Sequence, residues 1–219
     1  MEPTCDLVLP CRDEAPALAD LLPRVPRPWS VIVVDNGSRD ATAETAARLG
    51  ARVVREDRPG YGAAVHAGLL ASTADVVGVM DGDGSFDPLD LAPLLRALLD
   101  GDADLAVGRR RPVRRGVWPW HARVGNALVL SVLRRRGGPP VHDIAPLRVF
   151  RREAMLDLGI EDRRFGYPLE LLARAGRAGW RIRELDVAYH PRAAGTRSKV
   201  SGSVRGTART ARDFLRVLS

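Results

Sequence analysis

Four short apolar runs, each closed by a polar or glycine-bearing turn and followed by a helical stretch, restrict the fold of this chain more than any other feature. They are residues 6–10 (DLVLP), 30–34 (SVIVV), 51–55 (ARVVR) and 76–80 (VVGVM). Their length and β-branched content mark them as strands, several of them buried on both faces. Between them, ALADLLPRV, ATAETAARLG and GAAVHAGLLAS read as helices, the second capped by Ser38 or Asp40 and stopped at Gly50. Strands alternating with helices in this way imply a mostly parallel open sheet flanked by helices. The expected fold class is therefore α/β, and 219 residues at 45% hydrophobic content suit a single domain with a substantial core.

In open sheets of this kind ligands bind beyond the carboxyl ends of the strands, so the residues found there carry information about function. The fourth run ends in Asp81, Gly82, Asp83 and Gly84, and the helical LDLAPLLRALLD follows Pro88. Two carboxylates separated by one small residue can face a single cavity and share a hard divalent cation with phosphate oxygens. The same tetrapeptide is also compatible with an ordinary solvated turn, with a calcium loop, or with the nucleophile loop of a phosphatase. An EF-hand loop needs glycine at its sixth position, where this chain has Phe86. The second run likewise ends on an acid, Asp35, ahead of Asn36, Gly37 and Ser38.

Several classes are excluded by what is missing. No Gly-x-Gly-x-x-Gly follows the first strand, where Cys11, Arg12, Asp13 and Glu14 stand instead, and no Gly-Lys-Ser/Thr phosphate loop occurs. The chain carries 34 Lys and Arg against 27 Asp and Glu, a net charge of +7, which suits an anionic partner. Aromatic residues make up only 5% and no zinc spacing is present, so a nucleic-acid reader is not expected. No apolar segment is long enough to span a bilayer, and Cys5 and Cys11 lie too far apart along one strand to pair, so a cytoplasmic chain with free thiols is expected. His66, His121, His142 and His190 lack metal-ligand spacing.

The second half changes character. A strand at 103–107 leads to Gly108 and then to five arginines between 109 and 115, which read as a long irregular basic loop. A helix over 120–134 carries Arg123 and Asn126 on one face; Asp143 precedes a strand-like LRVF. A second helix, over 167–180, holds Glu170, and a last strand over 181–189 runs into the basic segment HPRAAGTRSKVSG.

Taken together, LPCRDEAPAL, VIVVDNGSRDAT, RPGYGAAVHAGL, MDGDGSFDP, DIAPLRVFRR, FGYPLELLARAGRAGWRIRELDVAY and RAAGTRSKVSG resemble the family 2 glycosyltransferases of the Rossmann-like GT-A fold, within them the dolichyl-phosphate mannose synthase-like branch. The segments follow the family's order and span nearly the whole chain. A phosphatase of the haloacid type would want its Asp-x-Asp on the first strand, which demotes that reading. The resemblance implies a nucleotide-sugar donor of GDP-mannose or UDP-glucose type, bound by residues 1–108 through Pro10, Arg12, Glu14, Asp35, Gly37, Gly62, Asp81, Gly82 and Asp83. Asp81 and Asp83 would hold Mg²⁺ or Mn²⁺, and Arg192, Arg197 and Lys199 would close on the diphosphate. Residues 109–219 would take the acceptor, a polyprenyl phosphate or, alternatively, a hydroxyl group, with Arg109, Arg123 and Arg148 as acceptor-binding residues.

A phosphate acceptor is already ionised near neutrality and needs only orientation, whereas a hydroxyl needs a base. Asp143 and then Glu170 are the candidate bases, with Asp83 also counted in the catalytic set, and each is equally readable as an ion-pair partner for the many arginines. The chain departs from the branch's pattern at Ser85, where a glutamine is usual, at Asn36 and at Asp13. It also lacks a spanning tail, so a lipid acceptor would be met by peripheral contact through Arg109–Arg115, Trp118 and Trp120.

Overall fold

The computed structural model describes residues 3–194 and Phe214. Within them lie seven strands: β1 (Cys5–Cys11), β2 (Trp29–Asp35), β3 (Arg52–Arg55), β4 (Val76–Val79), β5 (Leu105–Pro112), β6 (Leu147–Arg151) and β7 (Ile182–Tyr189). The helices are α1 (Ala15–Leu21), α2 (Thr42–Arg48), α3 (Tyr61–Ala71), α4 (Leu91–Leu99), α5 (Trp120–Arg135), α6 (Arg152–Asp157) and α7 (Tyr167–Arg177). All seven strands form one sheet in the order β3-β2-β1-β4-β6-β5-β7. The expected α/β class, a mostly parallel open sheet flanked by helices, is the fold observed.

β1 pairs in parallel with both β2 and β4, so the loops after these three strands emerge at one edge of the sheet. β6 runs antiparallel between β4 and β5, and register sets Arg148 beside Val79 on one side and Val107 on the other. Both neighbours are fully buried and apolar, which makes Arg148, only 2% exposed, a charged side chain in a core position.

One expectation is corrected. The arginine-rich stretch is not irregular from its start: β5 continues to Pro112, because β7 supplies a parallel partner for residues 105–112. Arg109 and Arg111 donate to the two carboxylate oxygens of Asp186 at 2.6 and 2.8 Å, and the intervening Arg110 points to the opposite face of the strand. Among the described residues, no helix is long and apolar enough to cross a membrane.

Helix α3 lies flat on the sheet because Gly68 offers no side chain. A Cβ there would fall 2.3 Å from Val8 Cγ1 and 3.1 Å from Val34 Cγ2. Gly68→Ala is expected to force α3 away from β1 and destabilise the fold by about 1–3 kcal/mol, seen as a melting temperature lower by on the order of 5 °C. An unchanged melting temperature in a thermal scan would contradict this packing.

Candidate active site

The site is built on the turn after β4. Gly82 is pressed against the end of β1: a Cβ at this position would lie 2.4 Å from Cys11 Sγ and 3.2 Å from Glu14 Oε2. Gly84 turns the chain in the left-handed region, at φ +79°. The carboxylate of Asp83, 1% exposed, accepts from Ser85 N at 2.9 Å and pairs with Arg192 Nη1 at 2.6 Å. Backbone bonds fasten the following segment to the same turn, from Ala193 N to Asp83 O at 2.9 Å and from His190 N to Ser85 O at 3.0 Å.

Asp81 faces a cavity in front of this turn. Burial, and then the negative charges of Asp83 and Glu14, push its pKa up to about 7, against the opposing pull of Arg192 and Arg148. A surplus of buried negative charge on hard oxygen donors is what a divalent cation relieves, so Asp81 and Asp83 fit such an ion. The Oγ of Ser85, fully buried two residues on, has no hydrogen-bond partner among the described residues and adds a further oxygen to the same turn. Among the described residues there is no cluster of three or more metal-ligating side chains, so the remaining coordination would fall to diphosphate and water oxygens.

The loops after β1 and β2 are stitched together beside this turn. Register sets Pro10 beside Val34 and Cys11 beside Asp35. Asp35, 8% exposed, accepts from Ser38 N, and Ser38 Oγ accepts from Asp13 N. Glu14, 5% exposed, donates its N–H to Thr42 Oγ1. Asn36 bridges to the loop after β3, donating to the carbonyls of Glu56 and Arg58 and accepting from Gly60 N. Arg12 is exposed at this rim and Gly37 turns at φ +78°. Gly62 serves helix packing: a Cβ there would sit 2.7 Å from Tyr167 Cβ and 2.8 Å from Asp162 O.

The cavity measures about 1510 Å³ and extends from Asp81, Tyr61 and Arg148 along α5. Its walls are largely apolar, with Trp118, Val129, Val132 and Phe165 among them, while Arg114, Arg115, Arg135 and Arg136 also line it. Arg148 Nη1 lies 3.5 Å from the Tyr61 hydroxyl and Nη2 lies 3.3 Å from Ile144 O, but its Nε has no partner among the described residues. No carboxylate forms an ion pair with Arg148 among the described residues.

Both candidate bases are engaged by basic side chains and backbone N–H groups. Asp143 is fully buried and accepts from Arg110 N, Nε and Nη2 at 2.9, 2.9 and 2.6 Å. Burial works against the Arg110 charge, yet the hydrogen bonds and charge of Asp143 outweigh it and hold its pKa above the usual arginine range. The Arg110 guanidinium also stacks 4.0 Å above the Trp118 ring. Glu170 accepts from Glu161 N, Asp162 N and Arg174 Nε, tying a loop to α7. Neither acid lines the cavity. Of the arginines expected at the acceptor, Arg148 reaches the cavity, Arg109 is held by Asp186, and Arg123 is exposed on α5 away from the cavity wall. Arg192 also lines the cavity; Arg197 and Lys199 lie outside the described residues.

Tyr61 and Arg110 escaped sequence reasoning. Tyr61 stands next to the glycines of GYG, which draw attention to the turn instead, and Arg110 is distinguishable from its neighbours only once β5 is known to continue.

Comparison with known proteins places the chain in a family and a fold. The model of the family described as "Glycosyl transferase family 2" matches residues 6–159. The chain is 58% identical over 213 residues to an uncharacterized glycosyltransferase of Mycobacterium tuberculosis, covering 97% of each. It is 33% identical over 168 residues to a dolichyl-phosphate hexose transferase of Haloferax volcanii, covering 76% of this chain and 72% of that one. Glucosyl-3-phosphoglycerate synthase from Mycobacterium tuberculosis, solved with Mn²⁺ and UDP-glucose, superposes with a TM-score of 0.75 at 22% identity, covering 99% of this chain and 78% of that one.

Removing the Asp143 carboxylate would leave Arg110 buried without its counter-charge. Asp143→Ala is therefore expected to destabilise the fold by about 3–5 kcal/mol, lowering the melting temperature by on the order of 10 °C. Lost turnover at an unchanged melting temperature would return Asp143 to the role of base.

Proposed function

The chain belongs to glycosyl transferase family 2, and from that premise we propose that it moves a hexose from a nucleoside-diphosphate sugar to a polyprenyl phosphate, with inversion and with the help of a divalent cation. One observation carries the choice of acceptor: a buried guanidinium, Arg148, forms no ion pair with a carboxylate among the described residues and lines a largely apolar cavity. A buried cation without a paired carboxylate is costly, and an anionic ligand bound against it lowers that cost. The cavity walls suit an isoprenoid chain attached to that anion. The relative that is named a dolichyl-phosphate hexose transferase supports the same acceptor class.

The division of labour follows the sheet. Residues 1–108 carry Pro10 and Asp35 at the carboxyl ends of β1 and β2, and Glu14, Asp81 and Asp83 on the loops after β1 and β4, and these would hold the donor. Residues 109–219 contribute the arginines and the apolar wall, and would hold the acceptor. Asp81 and Asp83 would bind Mg²⁺ or Mn²⁺, which, when bound, neutralises negative charge developing on the diphosphate. Asp81 is the one carboxylate lining the cavity among the described residues, and it belongs to that cation pair. The acceptor must therefore bring its own nucleophile, and a phosphomonoester does so.

In the reaction an acceptor phosphate oxygen attacks the anomeric carbon opposite the diphosphate. A carbon–oxygen bond to the acceptor forms as the bond to the diphosphate breaks, and the electron pair leaves with the nucleoside diphosphate. Arg148 orients the attacking phosphate, and Tyr61 Oη lies beside it. Trp118, fixed by Arg110, walls the site on the acceptor side. Trp120, Val124 and Leu128 recur at four-residue spacing on α5 and are 75%, 48% and 62% exposed. With Arg114, Arg115, Arg135 and Arg136 near them in sequence, they form a surface suited to peripheral contact with an anionic bilayer, where a lipid acceptor would be found.

Two measurements test this. A melting panel of UDP, GDP and other nucleotides, with and without Mn²⁺, is expected to give one diphosphate whose stabilisation depends on the metal and vanishes in Asp83→Ala. Radiolabelled hexose from the matching donor is expected to pass to farnesyl phosphate but not to farnesol, in wild type and not in chelator. Arg148→Met should cut that transfer by about 10- to 100-fold, the loss of a charge-assisted contact. Transfer to farnesol at a comparable rate would sink the phosphate reading.

A further inference from the structure

We infer that Arg192 occupies the cation's place on Asp83 while the donor is absent, and so makes metal binding conditional on the arrival of the nucleotide diphosphate. The inference rests on the proposed use of a divalent cation and assigns to one side chain the control of when that ion binds. Arg192 Nη1 lies 2.6 Å from Asp83 Oδ2, the oxygen left over after Oδ1 has accepted from Ser85 N. The pair is mostly shielded, with the Asp83 side chain 2% and the Arg192 side chain 28% exposed. A guanidinium N–H donor and a divalent ion cannot share one carboxylate lone pair. An ion bound at the lone pair that now accepts from Arg192 therefore requires that side chain to leave.

The charge balance explains why the arginine sits there. Glu14, Asp81 and Asp83 place three carboxylates around Gly82, and Arg192 forms an ion pair with one of them. Its departure alone would strand buried negative charge. Arrival of a bare cation would replace a hydrogen-bonded guanidinium by an ion still needing four or more further oxygens, which the described residues do not supply. The diphosphate resolves both demands. It supplies the missing oxygens, and it offers the released Arg192 a second anion close by.

The backbone keeps Arg192 within reach of either partner. His190 N donates to Ser85 O and Ala193 N donates to Asp83 O, so the segment on each side of Arg192 is fastened to the turn that holds the carboxylates. The Cβ of Ala193 lies 3.4 Å from where a Cβ on Gly84 would be. A side-chain swing, without loosening of the backbone, is enough to transfer the guanidinium from carboxylate to phosphate. Arg192 is in this sense a positioning residue with two anionic partners used in turn.

Such an exchange appears in equilibrium binding, independent of turnover. In Mn²⁺ titrations followed by the electron paramagnetic resonance of the free ion, the wild-type chain is expected to bind Mn²⁺ weakly alone and at least 10-fold more tightly with the nucleoside diphosphate that stabilises it. Arg192→Gln is expected to bind Mn²⁺ alone about 5- to 10-fold more tightly than wild type, while the gain on adding nucleotide shrinks by a similar factor, since coupling between two ligands is reciprocal. Arg192→Lys, which keeps the charge, should restore most of the wild-type pattern. If Arg192→Gln binds Mn²⁺ alone no better than wild type, the inference is wrong although the metal reading survives. If wild type binds no Mn²⁺ with any nucleotide, the proposed cation itself fails and the inference falls with it.

Discussion

Three carboxylates meet around Gly82, and their mutual repulsion sets the terms for everything placed near them. The meeting is a consequence of strand order: β1 and β4 are parallel neighbours, so the loop bearing Glu14 and the turn bearing Asp81 and Asp83 leave the sheet at the same edge. The approach is closer than any side chain at position 82 would allow, with Cys11 Sγ filling the space a Cβ would need. Burial, and then the negative charges of Asp83 and Glu14, push the pKa of Asp81 up to about 7. Arg192, paired with Asp83 at 2.6 Å, offsets part of that charge.

The reversed strand β6 provides the second half of this charge arrangement. A neighbour parallel to β4 would end beside Asp81 and continue into another loop. Running the other way, β6 enters the sheet there, and its second residue, Arg148, faces the same layer as Val79 and Val107. A guanidinium is thereby carried into the core by a strand whose remaining residues on that face are apolar. Asp81 and Arg148 then line one cavity from adjacent strands, one suited to a cation and the other to an anion. The opposition of charge across a single cavity is compatible with the transfer proposed above, in which leaving and attacking groups are held apart as well as neutralised.

What was legible in the sequence follows the range of the interactions involved. Strands β1 to β4 declare themselves through short apolar runs, and the helices between them through local periodicity and caps. The acidic turn after β4 was legible as a turn at a strand's carboxyl end, because Asp81 to Gly84 stop a buried apolar run. The continuation of β5 was not, since a run of arginines reads as solvated until Asp186, some 75 residues on, is found beside it. Asp143 and Glu170 illustrate the same limit. An acid near arginines reads equally as a base or as an ion-pair partner, and the fit of Arg110 against Asp143, with Trp118 stacked above, comes into view only in the folded chain.

Charge placement, more than total charge, then accounts for the basic composition. Arg109 and Arg111 are matched to Asp186, Arg110 to Asp143, Arg174 to Glu170 and Arg181 to Asp104. These pairs hold strands and loops together and offer nothing to a polyanion. Arg114, Arg115, Arg135 and Arg136 have no such partner among the described residues, and all four line the cavity that ends at Arg148. A nucleic-acid surface would spread unmatched cations over an exposed face with stacking platforms between them. Here they surround an apolar hollow, beside a helix with three exposed apolar side chains. The unmatched cations are thus gathered around an apolar hollow, and the ion-paired ones serve the packing of strands and loops.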